Sequence, residues 1–111
     1  MEINTQRHKH CDALKVTGRV DSFTAPKLSE AIEASNKDDR FKIVIDMSEL
    51  EYMSSAGFRA LLVGQRNCKR YNRGEIVLAG VPKRIYDAFE LTGFTPLFNF
   101  FDDITTAVGY F

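Results

Sequence analysis

A surplus of charge of either sign is missing from this chain, in which 15 Lys and Arg balance 15 Asp and Glu for a formal net charge of zero. Nucleic-acid binders carry a basic electrostatic footprint, so direct binding to DNA or RNA is not expected. Cysteine is scarce: Cys11 and Cys68 stand far apart and supply no disulfide framework, so a reducing, cytoplasmic location is expected. Long apolar runs are absent, which excludes a membrane-spanning helix, and the polar opening Met1-Glu-Ile-Asn-Thr-Gln-Arg7 lacks the apolar centre of a signal peptide. The glycines form neither a G-x-x-x-x-G-K-[ST] phosphate loop nor a G-x-G-x-x-G turn after a strand. Histidine is confined to His8 and His10. His8-Lys9-His10-Cys11 crowds imidazoles beside a thiol, but a structural zinc site needs four convergent ligands and no second cluster exists, so a solvated turn is expected, with no metal and no cofactor.

What is present fits one domain spanning residues 1–111, large enough for a real core. Its organising stretch runs from Phe41 to Leu62 and reads as strand, turn, helix. Phe41–Met47 is an apolar, β-branched run suited to a central strand covered on both faces. A connection through Glu49, Leu50, Glu51 and Tyr52 then leads to Ser54-Ser55, where a long helical pattern begins.

The rest of the chain alternates in the same way. Met1–Arg7 and Ala13–Val20 read as a hairpin. A helix capped by Thr24 follows, with Pro26 in its first turn and Leu28, Ala31, Ile32 and Ser35 on one stripe. Glu75–Ala79 is a short strand, and a helix follows whose face carries Ile85, Ala88, Phe89 and Thr92 and which stops at Gly93. Leu97–Phe101 reads as a last strand, with Asp102 capping a final helix. The order β-β-α-β-α-β-α-β-α predicts an α/β fold with a mixed, mostly parallel sheet of four to five strands and about four helices.

Ser54 and Ser55 permit two readings. A serine at a helix start caps an unpaired backbone N–H, and that alone accounts for either residue. The same free N–H groups and the positive end of the helix dipole also favour phosphate, and Ala56-Gly57 is too small to shield Ser55 from another protein. Asp21 and Asp46 end candidate strands; if these strands are parallel neighbours, both acids share a rim with the serines, and otherwise they fix turns. On the helix after Ser55, Gly57, Ala60, Leu61, Gly64, Cys68 and Tyr71 share a slim face. Phe58 and Leu62 fall among charges on the other side, as a docking surface or beneath a neighbouring element.

Catalysis by Ser55 is not expected. A hydrolase nucleophile elbow has Gly two residues before the serine, where this chain has Met53, and neither histidine is placed to serve as base.

Gly18-Arg-Val-Asp-Ser-Phe-Thr-Ala25, Ile45-Asp-Met-Ser-Glu-Leu-Glu-Tyr-Met-Ser-Ser-Ala-Gly57, Ala79-Gly-Val-Pro82 and Thr92-Gly-Phe94 resemble, in order, a STAS domain of the anti-sigma-factor antagonist family. The resemblance implies the fold derived above. It also implies that Ser55 is phosphorylated by a partner that is both anti-sigma factor and serine kinase, that the unmodified chain binds this partner and frees a sigma factor, and that a phosphatase resets the cycle. Asp21 matches the family's loop aspartate. Ser54 stands where many members carry Asp, which makes it the second choice as acceptor. The expected partner-binding residues are Asp21, Ser54, Ser55, Gly57, Phe58 and Leu62. Related STAS domains serve as scaffolds or bind small ligands, so a regulatory module that does not act on a sigma factor is the alternative.

Overall fold

The computed structural model covers residues 1–111. Strand β1 (Glu2–Arg7) folds back antiparallel on β2 (Asp12–Val20), and helix α1 (Ala25–Lys37) carries the chain to β3 (Lys42–Asp46). After β4 (Leu50–Met53) come α2 (Ser55–Lys69), β5 (Glu75–Ala79), α3 (Lys83–Thr92), β6 (Asn99–Phe101) and α4 (Ile104–Tyr110). The sheet order is β1-β2-β3-β5-β6, with β2, β3, β5 and β6 parallel.

The central strands read as unbroken apolar runs because both faces are covered. Ile43, Ile45, Ile76 and Leu78 point into the larger core with Leu28 and Ile32 of α1, Leu61 of α2 and Phe89 of α3. Val44, Val77 and Ala79 face the other way, against Ala107 of α4. Gln65 is the one polar side chain buried on α2; its amide donates to Ile76 O and Leu97 O and accepts from Ile76 N, tying the helix to β5.

Four expectations need correction. The stretch Leu50–Met53 is a sixth strand rather than a plain connection, pairing in parallel with the far half of β2 from Gly18↔Leu50 to Val20↔Met53. Tyr71 lies off the inner face and is exposed, because α2 ends at Lys69 and Tyr71 turns to φ 60°. The last strand begins at Asn99, since Thr95–Leu97 winds into a 3-10 turn. Asp103, not Asp102, caps α4, its Oδ1 accepting from Thr106 N at 2.8 Å.

At the hairpin end, Asp12 is fully buried and joins three segments: it accepts from Ser35 Oγ at 2.6 Å, pairs with the Arg40 guanidinium and lies 3.5 Å from Arg7 Nε. Burial alone would raise this carboxyl's pKa, but the bonds from Ser35 and Arg40 outweigh it and hold the group below its ordinary value. A depressed folded pKa gives stability that is present above the unfolded value of about 4 and is lost as pH falls through the folded value. Asp12→Ala is expected to cost about 3–5 kcal/mol at neutral pH, since Arg40 loses its partner. The difference from wild type should shrink below pH 4, as read by urea unfolding at several pH values.

Candidate functional site

The site grows from the point where β2 and β4 run out side by side. Ser54 N donates to Val20 O at 2.8 Å, which locks the start of α2 to the end of β2. Ser54 then takes extended backbone angles and caps the helix, its Oγ accepting from Gly57 N at 3.4 Å, while Phe58 N bonds to Ser54 O. Ser55 is the first helical residue. It is exposed and its hydroxyl has no hydrogen-bond partner in the chain, and the backbone amides of Ser55 and Ala56 are also left unpaired. The two serines thus divide the roles that sequence left open: Ser54 caps, and Ser55 presents a free oxygen beside two free donors.

Asp21 shapes the adjoining loop. Its Oδ1 accepts from Phe23 N and Thr24 N, both at 3.0 Å, and from Thr24 Oγ1 at 3.1 Å. The amide of Thr24 is the chief reason the Asp21 carboxyl stays below the usual range. Thr24 itself serves this loop, its hydroxyl reaching Arg19 O and Asp21 N rather than capping α1. The tight turn pushes Phe23 outward until it is 91% exposed. Beside it, the Arg19 guanidinium lies 4.4 Å from the ring centroid of Tyr52, its neighbour across the β2–β4 pair. A groove of about 470 Å³ runs between α1 and α2, bordered by Ser22, Pro26, Ser29, Ala56, Arg59 and Val63.

Other expected site residues lie elsewhere. Phe58 is buried, with its ring centroid 4.7 Å from that of Phe89 in an edge-on contact, and Leu62 is half-buried. Helix α2 is flanked by α1 on one side and by Phe89 and Phe98 on the other, so Phe58 is core, while Arg59, Arg66 and Lys69 around it stay exposed. Gly57 is also buried; a Cβ there would come within 2.7 Å of Met53 Cγ and 2.9 Å of Val20 Cγ1, so this glycine lets the helix tip approach the sheet. Asp46 is not part of the cluster. It stands opposite Lys15, six residues before Asp21 on β2, or roughly 20 Å along the strand, and its Oδ1 fixes a turn by accepting from Ser48 N. His8 and His10 lie in the β1–β2 turn, at the opposite end of the sheet from Ser55. Sequence reasoning missed Phe23, whose signal was an aromatic residue set inside a turn-forming Asp-Ser-Phe-Thr run.

A mixed five-strand path with one short strand off it, and a bare serine on the first turn of α2, defines a class of small α/β domain that offers a helix tip and loop rim for recognition. A family model described as "Mlab, STAS domain" matches residues 3–99. The chain is 34% identical over 97 residues to the anti-sigma-B factor antagonist of Listeria monocytogenes, covering 87% of this chain and 83% of that one. Among solved structures, an anti-sigma factor antagonist from Mycobacterium paratuberculosis superposes with TM-score 0.82 at 26% identity, over 98% of this chain and 92% of that one. The Bacillus cell fate determinant SpoIIAA in its phosphorylated form shares the fold, with TM-score 0.77 at 14% identity over 98% of both chains. The chain belongs to the STAS domain family, within its anti-sigma-factor antagonist group.

Proposed function

We propose that this chain is a cytoplasmic, non-enzymatic anti-sigma-factor antagonist switched by phosphorylation at Ser55. In this reading the unmodified form binds an anti-sigma factor that is also a serine kinase, which frees a sigma factor. Phosphate transferred from ATP to Ser55 Oγ by that kinase ends the complex, and a phosphatase restores the hydroxyl. The observation that carries the reading is the exposed, unbonded Ser55 oxygen at the positive tip of α2, next to the amides of Ser55 and Ala56.

The physical chemistry favours a switch that acts on the complex and spares the fold. A phosphate adds about −1.5 to −2 charges. Within the monomer the helix terminus stabilises an anion by roughly 0.3–1 kcal/mol. Inside an interface the same group loses water, and an unpaired buried charge costs several kcal/mol. The docking surface in this reading is Phe23, the Asp21 loop, Tyr52 and the α1–α2 groove, in place of Phe58 and Leu62.

The assignment is tested by intact-mass analysis of the protein taken from its own cells, with the modified residue located by fragmentation. One phosphate is expected, on Ser55, and Ser55→Ala should abolish it while still binding the kinase. Ser54 is the weaker acceptor because its oxygen is half-buried and already holds Gly57 N. Labelling that persists in Ser55→Ala and disappears only in Ser54→Ala would move the switch by one residue.

A further inference from the structure

At the end of the molecule opposite Ser55, a separate concavity of about 250 Å³ opens between the β1–β2 turn, the α1–β3 loop and the α2–β5 loop. Lys9, Arg40, Lys42 and Arg73 line it, with Asp39 as the one acid. Arg40 is neutralised from behind by buried Asp12. Lys9, Lys42 and Arg73 enter no ion pair. With Asp12 and Asp39 set against Lys9, Arg40, Lys42 and Arg73, two positive charges remain over this one hollow, in a chain whose net charge is zero.

The walls are held in place before any ligand arrives. Arg40 donates to the carbonyls of His8 and Cys11 as well as to Asp12. Arg73 donates to Arg70 O at 3.0 Å and Asn67 O at 2.6 Å, and its guanidinium lies 3.8 Å from the ring centroid of Phe41. The loops that hold these groups turn sharply just past the ends of α1 and α2. Asp39, Tyr71 and Asn72 are the only non-glycine residues with positive φ, and all three belong to the two loops that bring Arg40 and Arg73 together. Gly74 completes the clamp, because a Cβ there would come within 2.4 Å of Phe41 O. Fixed arginines and unpaired lysines therefore converge on one hollow.

We propose that this pocket binds a small, multiply charged oxyanion of the phosphate-ester or diphosphate class. The two arginines form its fixed floor, and Lys9 and Lys42, on flexible stems, close over the charge. A hollow of about 250 Å³ is of the size that holds a small anion. The pocket lies beyond the C-terminal end of α2, which at 15 residues puts it about 22 Å or more from Ser55. The pocket therefore shares no group with the helix tip.

The experiment is a titration of the isotope-labelled full chain with sodium pyrophosphate, followed by amide chemical shifts, against sodium chloride at matched ionic strength. Saturable shifts are expected at residues 8–11, 39–42 and 71–74, weakened roughly tenfold or more in Lys9→Gln/Lys42→Gln. A charge-matched control, Lys27→Gln/Lys83→Gln, should keep wild-type affinity, and both variants should keep the wild-type melting temperature. Shifts that fail to saturate, that spread over the whole surface, that chloride reproduces, or that fall equally in both variants would overturn the site. None of these readouts depends on Ser55 or on a kinase.

Discussion

Aspartate in place of Ser55 is expected to weaken binding to the anti-sigma partner by about a hundredfold or more, which corresponds to roughly 3 kcal/mol. The melting temperature should stay within about 4 °C of wild type, because the folded monomer pays nothing for the substitution. Ser55 is exposed, its hydroxyl supports no internal bond, and a carboxylate on the first turn of α2 meets two unpaired amides. The loss arises only when a partner covers the helix tip and strips water from the new charge. Titration calorimetry with the partner, alongside thermal unfolding of the variant, separates the two effects. Equal affinity would reject the charge mechanism, whereas a large drop in melting temperature would show that Ser55 is structural.

The second large effect divides two phenylalanines that the sequence does not distinguish. Phe58→Ala is expected to destabilise the fold by about 3–5 kcal/mol, the range for deleting a buried aromatic ring. Its ring packs edge-on against Phe89, which in turn touches Phe98 and Phe100, so the cavity opens inside an aromatic cluster with little freedom to collapse. Phe23→Ala should leave stability within about 0.5 kcal/mol, since the side chain is 91% exposed. If the Asp21 loop docks the partner, the same change costs about 1–2 kcal/mol of affinity or more. Denaturant unfolding and partner binding, measured on both variants, should therefore give opposite patterns. A Phe23 variant with full affinity would remove that loop from the interface.

Much of this architecture was legible because local pattern and global fold agree. The run Ile43-Val-Ile45 alternates between two cores, one beneath α1 and α2 and one beneath α4, and a strand with no polar face can only be central. The free hydroxyl of Ser55 was legible from the small Ala56-Gly57 pair that follows it. Leu50–Met53 was hidden because it is only four residues long and finds its partner in the far half of β2, a pairing that no local signal announces. Phe58 was misplaced for a related reason. A helical wheel reports two sides of α2 but cannot say that α3 and the segment around Phe98 close over Phe58 on the second. Asp21 and Asp46 both end strands, and of the two readings the sequence leaves open for Asp46 the structure bears out the turn-fixing one. Those strands end at different heights, with β4 taking the space between β3 and the rim.

One phosphate on Ser55 is expected to break one complex and leave the fold intact. The most direct test is to prepare the chain stoichiometrically phosphorylated on Ser55 and measure, on the same preparation, its thermal unfolding and its affinity for the anti-sigma partner beside the unmodified chain. An unchanged unfolding curve with binding reduced by about a hundredfold or more is the predicted result. Equal affinity of the two forms, or a phosphorylated chain that has lost its fold, would contradict it.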